Sequence, residues 1–138
     1  MFGSNEFIAR SISAIAGTVS IWIIYLLGKE LQSSKMGLIA AVLTCFNYFH
    51  IFYSQEARPY ALLFLFACLS FLYLIRLIKK PSWKLTFLYS LWTTAMIYTH
   101  YFGLFALLSQ AVILGVFLFD KKTDVKLYVQ QISVSALL

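Results

Sequence analysis

Charged side chains are scarce in this sequence: they make up 12% of its 138 residues, whereas hydrophobic residues make up 62%. Soluble domains carry about 25% charged residues, so the sequence has too little polar surface to cover a soluble fold. The same composition excludes intrinsic disorder, because disordered chains are polar and highly charged. With a mean hydropathy of +0.84, the sequence indicates a polytopic membrane protein.

Cysteine and histidine are equally rare, with two residues of each type. Cys45 and Cys68 both lie deep inside apolar runs, where we expect them to pack as small core residues. A metal site would need several ligands at short spacing, and the sequence contains neither such a cluster nor an acidic cluster for a divalent cation. The residues present therefore predict no metal site and no cofactor within this sequence, and they do not decide whether the activity depends on a metal.

Positive charge exceeds negative charge, giving a net charge of +6. In a soluble protein such an excess would suggest a nucleic-acid partner. Here the lysines and arginines cluster in short loops between apolar runs, as topology signals do in membrane proteins. We therefore expect no nucleic-acid partner.

The uncharged runs between these loops are long enough to cross a membrane, which takes about 20 residues. The stretch 85–119 has no formal charge and would measure about 52 Å as one helix, so we divide it at 99–103. The run 127–138 would measure only about 18 Å, which predicts that the chain is a fragment of a longer protein. The sequence thus predicts an all-α transmembrane bundle of five spans and a partial sixth, at 11–28, 36–53, 59–76, 85–99, 103–119 and 127–138.

The distribution of cations across five spans predicts the orientation of the chain. One side carries only Arg10 and Arg58, and the other carries all nine lysines and arginines of the remaining loops. Because cytoplasmic loops are rich in lysine and arginine, we expect the N-terminus and the segments 54–58 and 99–103 to be extracytoplasmic.

The polar residues of this outer side cluster around a proline. Pro59 fits the first turn of a helix, so the third span should start there and 54–58 should form a tight turn. Glu56 and Arg58 could simply form an ion pair across this turn, although ionisable groups near a membrane also favour a functional role.

Both histidines and many aromatic residues lie near the same boundary. His50 precedes Ser54 by one helical turn, so the two should share a helix face, and His100 lies in the break between the fourth and fifth spans. A histidine at a helix end is often only an interfacial hydrogen-bonding residue. An interfacial aromatic belt explains most of the aromatic residues, and sugar stacking remains an alternative for a few.

Three segments of the outer side carry a family resemblance: 2–11, FGSNEFIARS; 50–62, HIFYSQEARPYAL; and 98–103, YTHYFG. The first resembles the end of the first extracytoplasmic loop of GT-C glycosyltransferases, within the family-39-like group of protein mannosyltransferases, aminoarabinose transferases and bacterial membrane-bound mannosyltransferases. The second resembles a characteristic segment of the bacterial branch of this group, and the third resembles its next outer turn.

This resemblance implies a reaction in the bacterial inner membrane, in which a sugar moves from a polyprenyl-phosphate donor to the hydroxyl of a lipid, glycan or protein acceptor. Membrane lipids are the further expected partners. Arginine suits the lipid phosphate, because its guanidinium group binds phosphate oxygens in a bidentate manner. The expected roles are donor phosphate binding for Arg10 and Arg58, catalysis for Glu56 and His100, and lining of the donor or acceptor site for His50, Gln55, Tyr60 and Tyr101.

One departure from the family pattern is that the start of its first outer loop, with the main catalytic acid, has no counterpart here, and Glu6 does not match that acid. We therefore expect the chain alone to be inactive. Two alternatives remain: a transporter or flippase core, which would need polar groups near the membrane midplane, and a non-catalytic membrane subunit, which would need no clustered Glu, Arg and His.

Overall fold

The computed structural model describes residues 3–56 and 58–120, with side-chain surroundings for 6–56 and 58–117. This part of the chain is helical and contains no strand, which confirms the all-α prediction. The predicted partial span at 127–138 lies outside the described residues. The described helices are α1 (Gly3–Leu31), α2 (Ser34–Cys45), α3 (Tyr48–Gln55), α4 (Tyr60–Lys79), α5 (Trp83–Thr99) and α6 (Gly103–Asp120).

The helices begin and end at recognisable local signals. The Ser33 side chain caps α2 by accepting the backbone N–H of Met36 at 3.3 Å. Helix α4 starts directly after Pro59, as the sequence predicts. Helix α5 ends at the extended residue His100, which separates it from α6.

Two of the described helices are long and apolar enough to cross a membrane, at Glu6–Leu31 and Tyr60–Lys79. The helices α2 and α3 together would make a third crossing, with a bend of 62° between them. Helix α5, with 17 residues, reaches about 26 Å, and the apolar stretch of α6 over Gly103–Phe117 is shorter still. The described residues therefore supply two or three crossings of a hydrocarbon core about 30 Å thick, and the prediction of five spans is not confirmed.

The predicted span at 36–53 is divided between two helices, α2 and α3, which are bent by 62° relative to each other. Helix α2 ends at Cys45, and the Asn47 side chain accepts the backbone N–H of His50 at 3.2 Å to start α3 in a new direction. Asparagine offers the backbone this alternative hydrogen bond and so favours a helix start over a helix interior.

Helices α1 and α4 run in the same direction and are joined at both ends. The Ser13 hydroxyl donates to the carbonyl oxygen of Arg58 at 3.4 Å. Glu30, 17 residues after Ser13, accepts a hydrogen bond from Arg76 Nε at 2.9 Å, and Arg76 follows Arg58 by 18 residues. We call the end with Glu30 and Arg76 the basic end, and the end with Arg58 the site end.

The remaining helices bring further residues to the site end. The ring of Tyr60, at the start of α4, lies 5.4 Å from the ring of His100, so the turn between α5 and α6 also lies at this end. At the opposite end α1 and α2 are in backbone contact, because a Cβ on Gly28 would lie 2.6 Å from Gly37 Cα. Glycines at helix contacts of this kind are typical of membrane proteins.

The core is small, and much apolar surface is exposed. Cys68 is buried together with Ile23 and Leu72, as predicted. Cys45 is exposed, so its predicted place in the core is wrong; it is the last residue of α2 and lines a small cavity with residues of α1 and α3. Large exposed apolar side chains, such as Phe7 at 74%, are typical of a protein surface that contacts lipid or further protein.

Candidate functional site

A polar cavity of about 400 Å³ lies at the site end, between the start of α1 and the end of α3. Its lining includes four of the residues predicted from sequence, Arg10, Gln55, Glu56 and Arg58, together with Glu6 and Phe52, which sequence reasoning did not assign to the site. We call it the arginine cavity. The structure thus brings together both predicted phosphate-binding arginines and one of the two predicted catalytic residues.

The close approach of α3 to α1 places the residues after Ser54 in the wall of this cavity. A Cβ on Gly17 would lie 2.7 Å from Ser54 Cβ, so the two helices fit together only because residue 17 has no side chain. Ser54 also donates to the carbonyl oxygen of His50 at 2.6 Å, which keeps it within the last turn of α3. The predicted turn at 54–58 is therefore too long, because Ser54 and Gln55 are helical.

Each arginine of the cavity is paired with a glutamate. Arg10 Nη2 donates to Glu6 Oε1 at 2.7 Å, one helical turn away, and both side chains are more than half exposed. Arg58 Nε lies 3.6 Å from Glu56 Oε2, so the expected Glu56–Arg58 pair exists as an ion pair. The two positive and two negative charges cancel.

Glu56 has an unusual position within this arrangement. Its Oε2 atom is buried and accepts no hydrogen bond. The contact with Arg58 Nε is an ion pair only, because the two atoms are too far apart for a hydrogen bond. A buried acceptor without a hydrogen bond costs roughly 1–3 kcal/mol. An exposed ion pair contributes only about 0–1 kcal/mol, so stability does not explain this carboxylate.

A second cavity, of about 430 Å³, is lined mainly by apolar and aromatic side chains. We call it the aromatic cavity; it includes the predicted lining residues His50 and Tyr60, with Tyr53, Phe64 and Phe102. A smaller cavity shares His50 and Ser54 with it, and shares Gln55 with the arginine cavity. Gln55 and Ser54 thus separate a polar compartment from an apolar one.

The predicted catalytic residue His100 lies outside the arginine cavity. Its ring is 4.3 Å from that of Tyr101, 4.9 Å from that of Phe102 and 5.4 Å from that of Tyr60. His100 Nδ1 accepts the backbone N–H of Phe102 at 3.3 Å, so in the neutral ring the proton is on Nε2. In this state His100 can donate a hydrogen bond through Nε2 but cannot accept a proton there.

The structure divides the aromatic residues of the site end into two sets. Tyr48, Tyr98 and Tyr101 are well exposed, as in an interfacial aromatic belt. Tyr53 and Tyr60 are partly buried, and their rings lie 5.0 Å apart in the wall of the aromatic cavity. Tyr53 and Tyr60 are thus placed where a bound molecule could stack on them.

A buried polar cluster in the middle of the bundle was not predicted from the sequence. Gln110 Nε2 donates to Ser70 Oγ at 2.9 Å, Tyr89 Oη donates to Gln110 Oε1 at 2.9 Å, and Ser70 Oγ lies 2.7 Å from Thr93 Oγ1. All four side chains are buried and come from α4, α5 and α6. Gln110 inside an otherwise apolar run was the one available signal.

Metal-binding groups are absent from the part of the chain that the structure describes: no three His, Cys, Asp or Glu side chains there are grouped to hold a metal ion.

At the basic end, Glu30 is bound by Arg76 and Lys79, and Lys79 also donates to the Glu30 carbonyl oxygen. These cations are therefore partly occupied in joining α1 to α4.

Comparison with known proteins gives one family. The sequence model of the family described as dolichyl-phosphate-mannose-protein mannosyltransferase matches residues 1–138. No curated protein and no solved structure matches the chain. The matched range includes every residue that lines the arginine and aromatic cavities.

Proposed function

Because the chain belongs to the dolichyl-phosphate-mannose-protein mannosyltransferase family, whose members are membrane glycosyltransferases of the GT-C type, we propose that its arginine cavity binds the phosphate of a polyprenyl-phosphate-linked sugar. The chain is an integral membrane protein. The proposal adds a donor, an acceptor hydroxyl and a location at the extracytoplasmic face of a bacterial inner membrane. The acceptor is a lipid, a glycan or a protein.

The convergence of Arg10 and Arg58 in one cavity carries this proposal. Arg10 lies on α1 and Arg58 lies in the turn between α3 and α4, and within the described residues they are the cations of the site end. Guanidinium groups suit phosphate because their N–H donors match its oxygens in pairs. The leaving group of the transfer is a lipid phosphate, so cations fixed beside it stabilise the negative charge that develops as the sugar departs.

Glu56 is the better placed of the two predicted catalytic residues to act as a base. The acceptor hydroxyl must lose a proton as it attacks the sugar, and Glu56 Oε2 accepts no other hydrogen bond. His100 uses Nδ1 to hold the turn before α6, which leaves Nε2–H as a donor. We therefore propose that His100 positions a substrate by donating a hydrogen bond.

The two cavities suit the two parts of such a donor. Gln55 and the arginines would contact the phosphate and the sugar in the polar compartment. The aromatic cavity, with His50 and Tyr60, would take a less polar part of the donor or a sugar face, since apolar walls with a few polar groups are typical of ligand sites. Tyr101 is not among the residues that line either cavity; its ring lies beside that of His100, and we propose that it lines the entrance.

The described structure gives less support to the two alternatives. A transporter core needs polar groups near the midplane, and the Ser70–Gln110 cluster is the buried polar group described in the middle of the bundle. Its members carry no charge and bond to each other across α4, α5 and α6, which suits helix packing. A non-catalytic subunit would have no need for a cavity that contains two arginines and a buried Glu56 oxygen without a hydrogen bond.

Replacement of each cavity arginine by glutamine tests this function. We expect Arg10→Gln and Arg58→Gln each to lower sugar transfer from a labelled polyprenyl-phosphate sugar about 10- to 100-fold, the value of a charge-assisted hydrogen bond. Transfer is measured in membranes containing the protein expressed from its own gene. Arg76→Gln removes the same charge at the basic end and should retain transfer per folded molecule. Unchanged transfer in both cavity variants would refute the proposal.

A further inference from the structure

We infer that two carboxylates of the protein itself compete with the donor phosphate for the arginine cavity. Glu6 is paired with Arg10 and Glu56 with Arg58, and a donor phosphate must displace both carboxylates in order to bind. This inference rests on the proposed function and adds the regulation of the same site. It makes Glu6, a residue with no role by family resemblance, a determinant of donor affinity.

The Glu6–Arg10 pair provides the first step. The carboxylate contacts Arg10 Nη2 at 2.7 Å, a full charge-assisted hydrogen bond. A phosphate would use the same N–H donors, because carboxylate and phosphate oxygens have similar geometry towards a guanidinium group. Both side chains line the cavity, so Glu6 and the phosphate compete within it.

The Glu56–Arg58 pair provides the second step. The two groups are 3.6 Å apart, beyond hydrogen-bond length, so the contact between them is a charge attraction without a hydrogen bond. A phosphate that takes Arg58 removes this attraction and releases Glu56. Donor binding therefore frees the proposed base, which orders the reaction with donor before acceptor.

The released carboxylate has a defined part in the transfer. The acceptor oxygen forms its bond to the anomeric carbon, and its proton moves to Glu56. The bond between that carbon and the phosphate oxygen breaks, and its electron pair stays on the lipid phosphate. The developing charge is then neutralised by the two arginines that the carboxylates have left.

A simpler role for Glu6 predicts the opposite result. Glutamate and arginine one turn apart on a helix commonly form a pair that only orients the side chains. If Glu6 merely orients Arg10, its removal must weaken phosphate binding. If Glu6 blocks Arg10, its removal must strengthen binding. The sign of the effect therefore decides between the two roles.

The experiment measures binding of farnesyl phosphate and of inorganic phosphate to the 138-residue chain in nanodiscs of zwitterionic lipid. We expect Glu6→Gln to tighten binding of both probes two- to fivefold, the range that an exposed ion pair is worth, and Glu56→Gln to do the same. Glu6→Asp keeps the carboxylate and should bind like the unchanged chain. Glu30→Gln is the matched control, since it removes a paired carboxylate at the basic end.

Each result of this experiment has one meaning. Unchanged or weaker binding by Glu6→Gln overturns the inference, as does equal tightening by Glu30→Gln, which would make the effect one of overall charge. If Arg10→Gln and Arg58→Gln lower affinity while the glutamate variants do not raise it, only the inference fails. If the arginine variants also bind normally, the proposed function fails with it.

Discussion

Gly17 on α1 lies directly against Ser54 on α3, so closely that a Cβ at position 17 would be 2.7 Å from Ser54 Cβ. Atoms that close would overlap, so any larger residue must move one helix. Gln55 and Glu56 follow Ser54 immediately and line the arginine cavity with Arg10. The shape of the proposed phosphate site thus depends on a glycine that would not touch the phosphate.

Gly17→Ala should displace α3 and widen the arginine cavity. We expect farnesyl phosphate affinity to fall about tenfold, and the free energy of unfolding to fall by roughly 1–3 kcal/mol, as for other overpacked sites. Binding and thermal unfolding of the reconstituted chain measure the two effects. Gly115→Ala is the matched control, because a Cβ at Gly115 meets nothing within 4 Å. Equal behaviour of the two alanine variants would show that the helix contact does not shape the cavity.

His100 should have a structural role that is separable from its proposed role in transfer. Asparagine can also accept the N–H two residues ahead, so His100→Asn should keep the turn and its thermal stability. His100→Ala loses that hydrogen bond and should be less stable by about 1 kcal/mol. We expect sugar transfer to fall in both variants, because neither retains the ring with its Nε2–H. Full transfer activity in His100→Asn would exclude a role for that donor.

Gln110 should stabilise the bundle without influencing the site. Gln110→Leu leaves Ser70 and Tyr89 without their shared partner, and we expect a loss of about 1–2 kcal/mol, as for polar contacts between membrane helices. Ser109→Leu, at an exposed position on the same helix, should cost little. Farnesyl phosphate affinity should be the same in both variants. A specific loss of binding in Gln110→Leu would instead connect the buried cluster to function.

The site end should face the extracytoplasmic side. In a chain with Cys45 and Cys68 replaced by alanine, we expect Tyr98→Cys to react with an impermeant maleimide in intact bacterial cells, since Tyr98 is 88% exposed at the site end. Ser34→Cys, exposed near the opposite end, should react only after the cells are opened. The reverse pattern would place the arginine cavity in the cytoplasm and contradict the proposed topology.

Local signals predicted helix ends better than contacts between helices. Pro59 and the segment around His100 mark real helix boundaries, because a fixed proline φ and a polar break act within a few residues. The break at Asn47 was missed, since hydropathy averages over about 20 residues and conceals one capping side chain.

The candidate site was predictable in part for a similar reason. Alternating spans place Arg10 and Arg58 at the same end of the bundle, and the structure brings them into one cavity. The rotation of each helix about its axis is set by packing, which the sequence does not show directly. For that reason only the structure shows that His100 lies outside the cavity that contains Glu56. The hydrogen bond between Gln110 and Ser70 was likewise not predictable from the sequence.

The most direct test of the account is the affinity of the double variant Arg10→Gln/Arg58→Gln for farnesyl phosphate and for farnesol, which lacks the phosphate. We predict that the double variant loses at least about tenfold in affinity for farnesyl phosphate and none for farnesol, while Arg76→Gln binds both like the unchanged chain. Equal farnesyl phosphate affinity in the double variant and the unchanged chain would contradict the claim that the arginine cavity is a phosphate site.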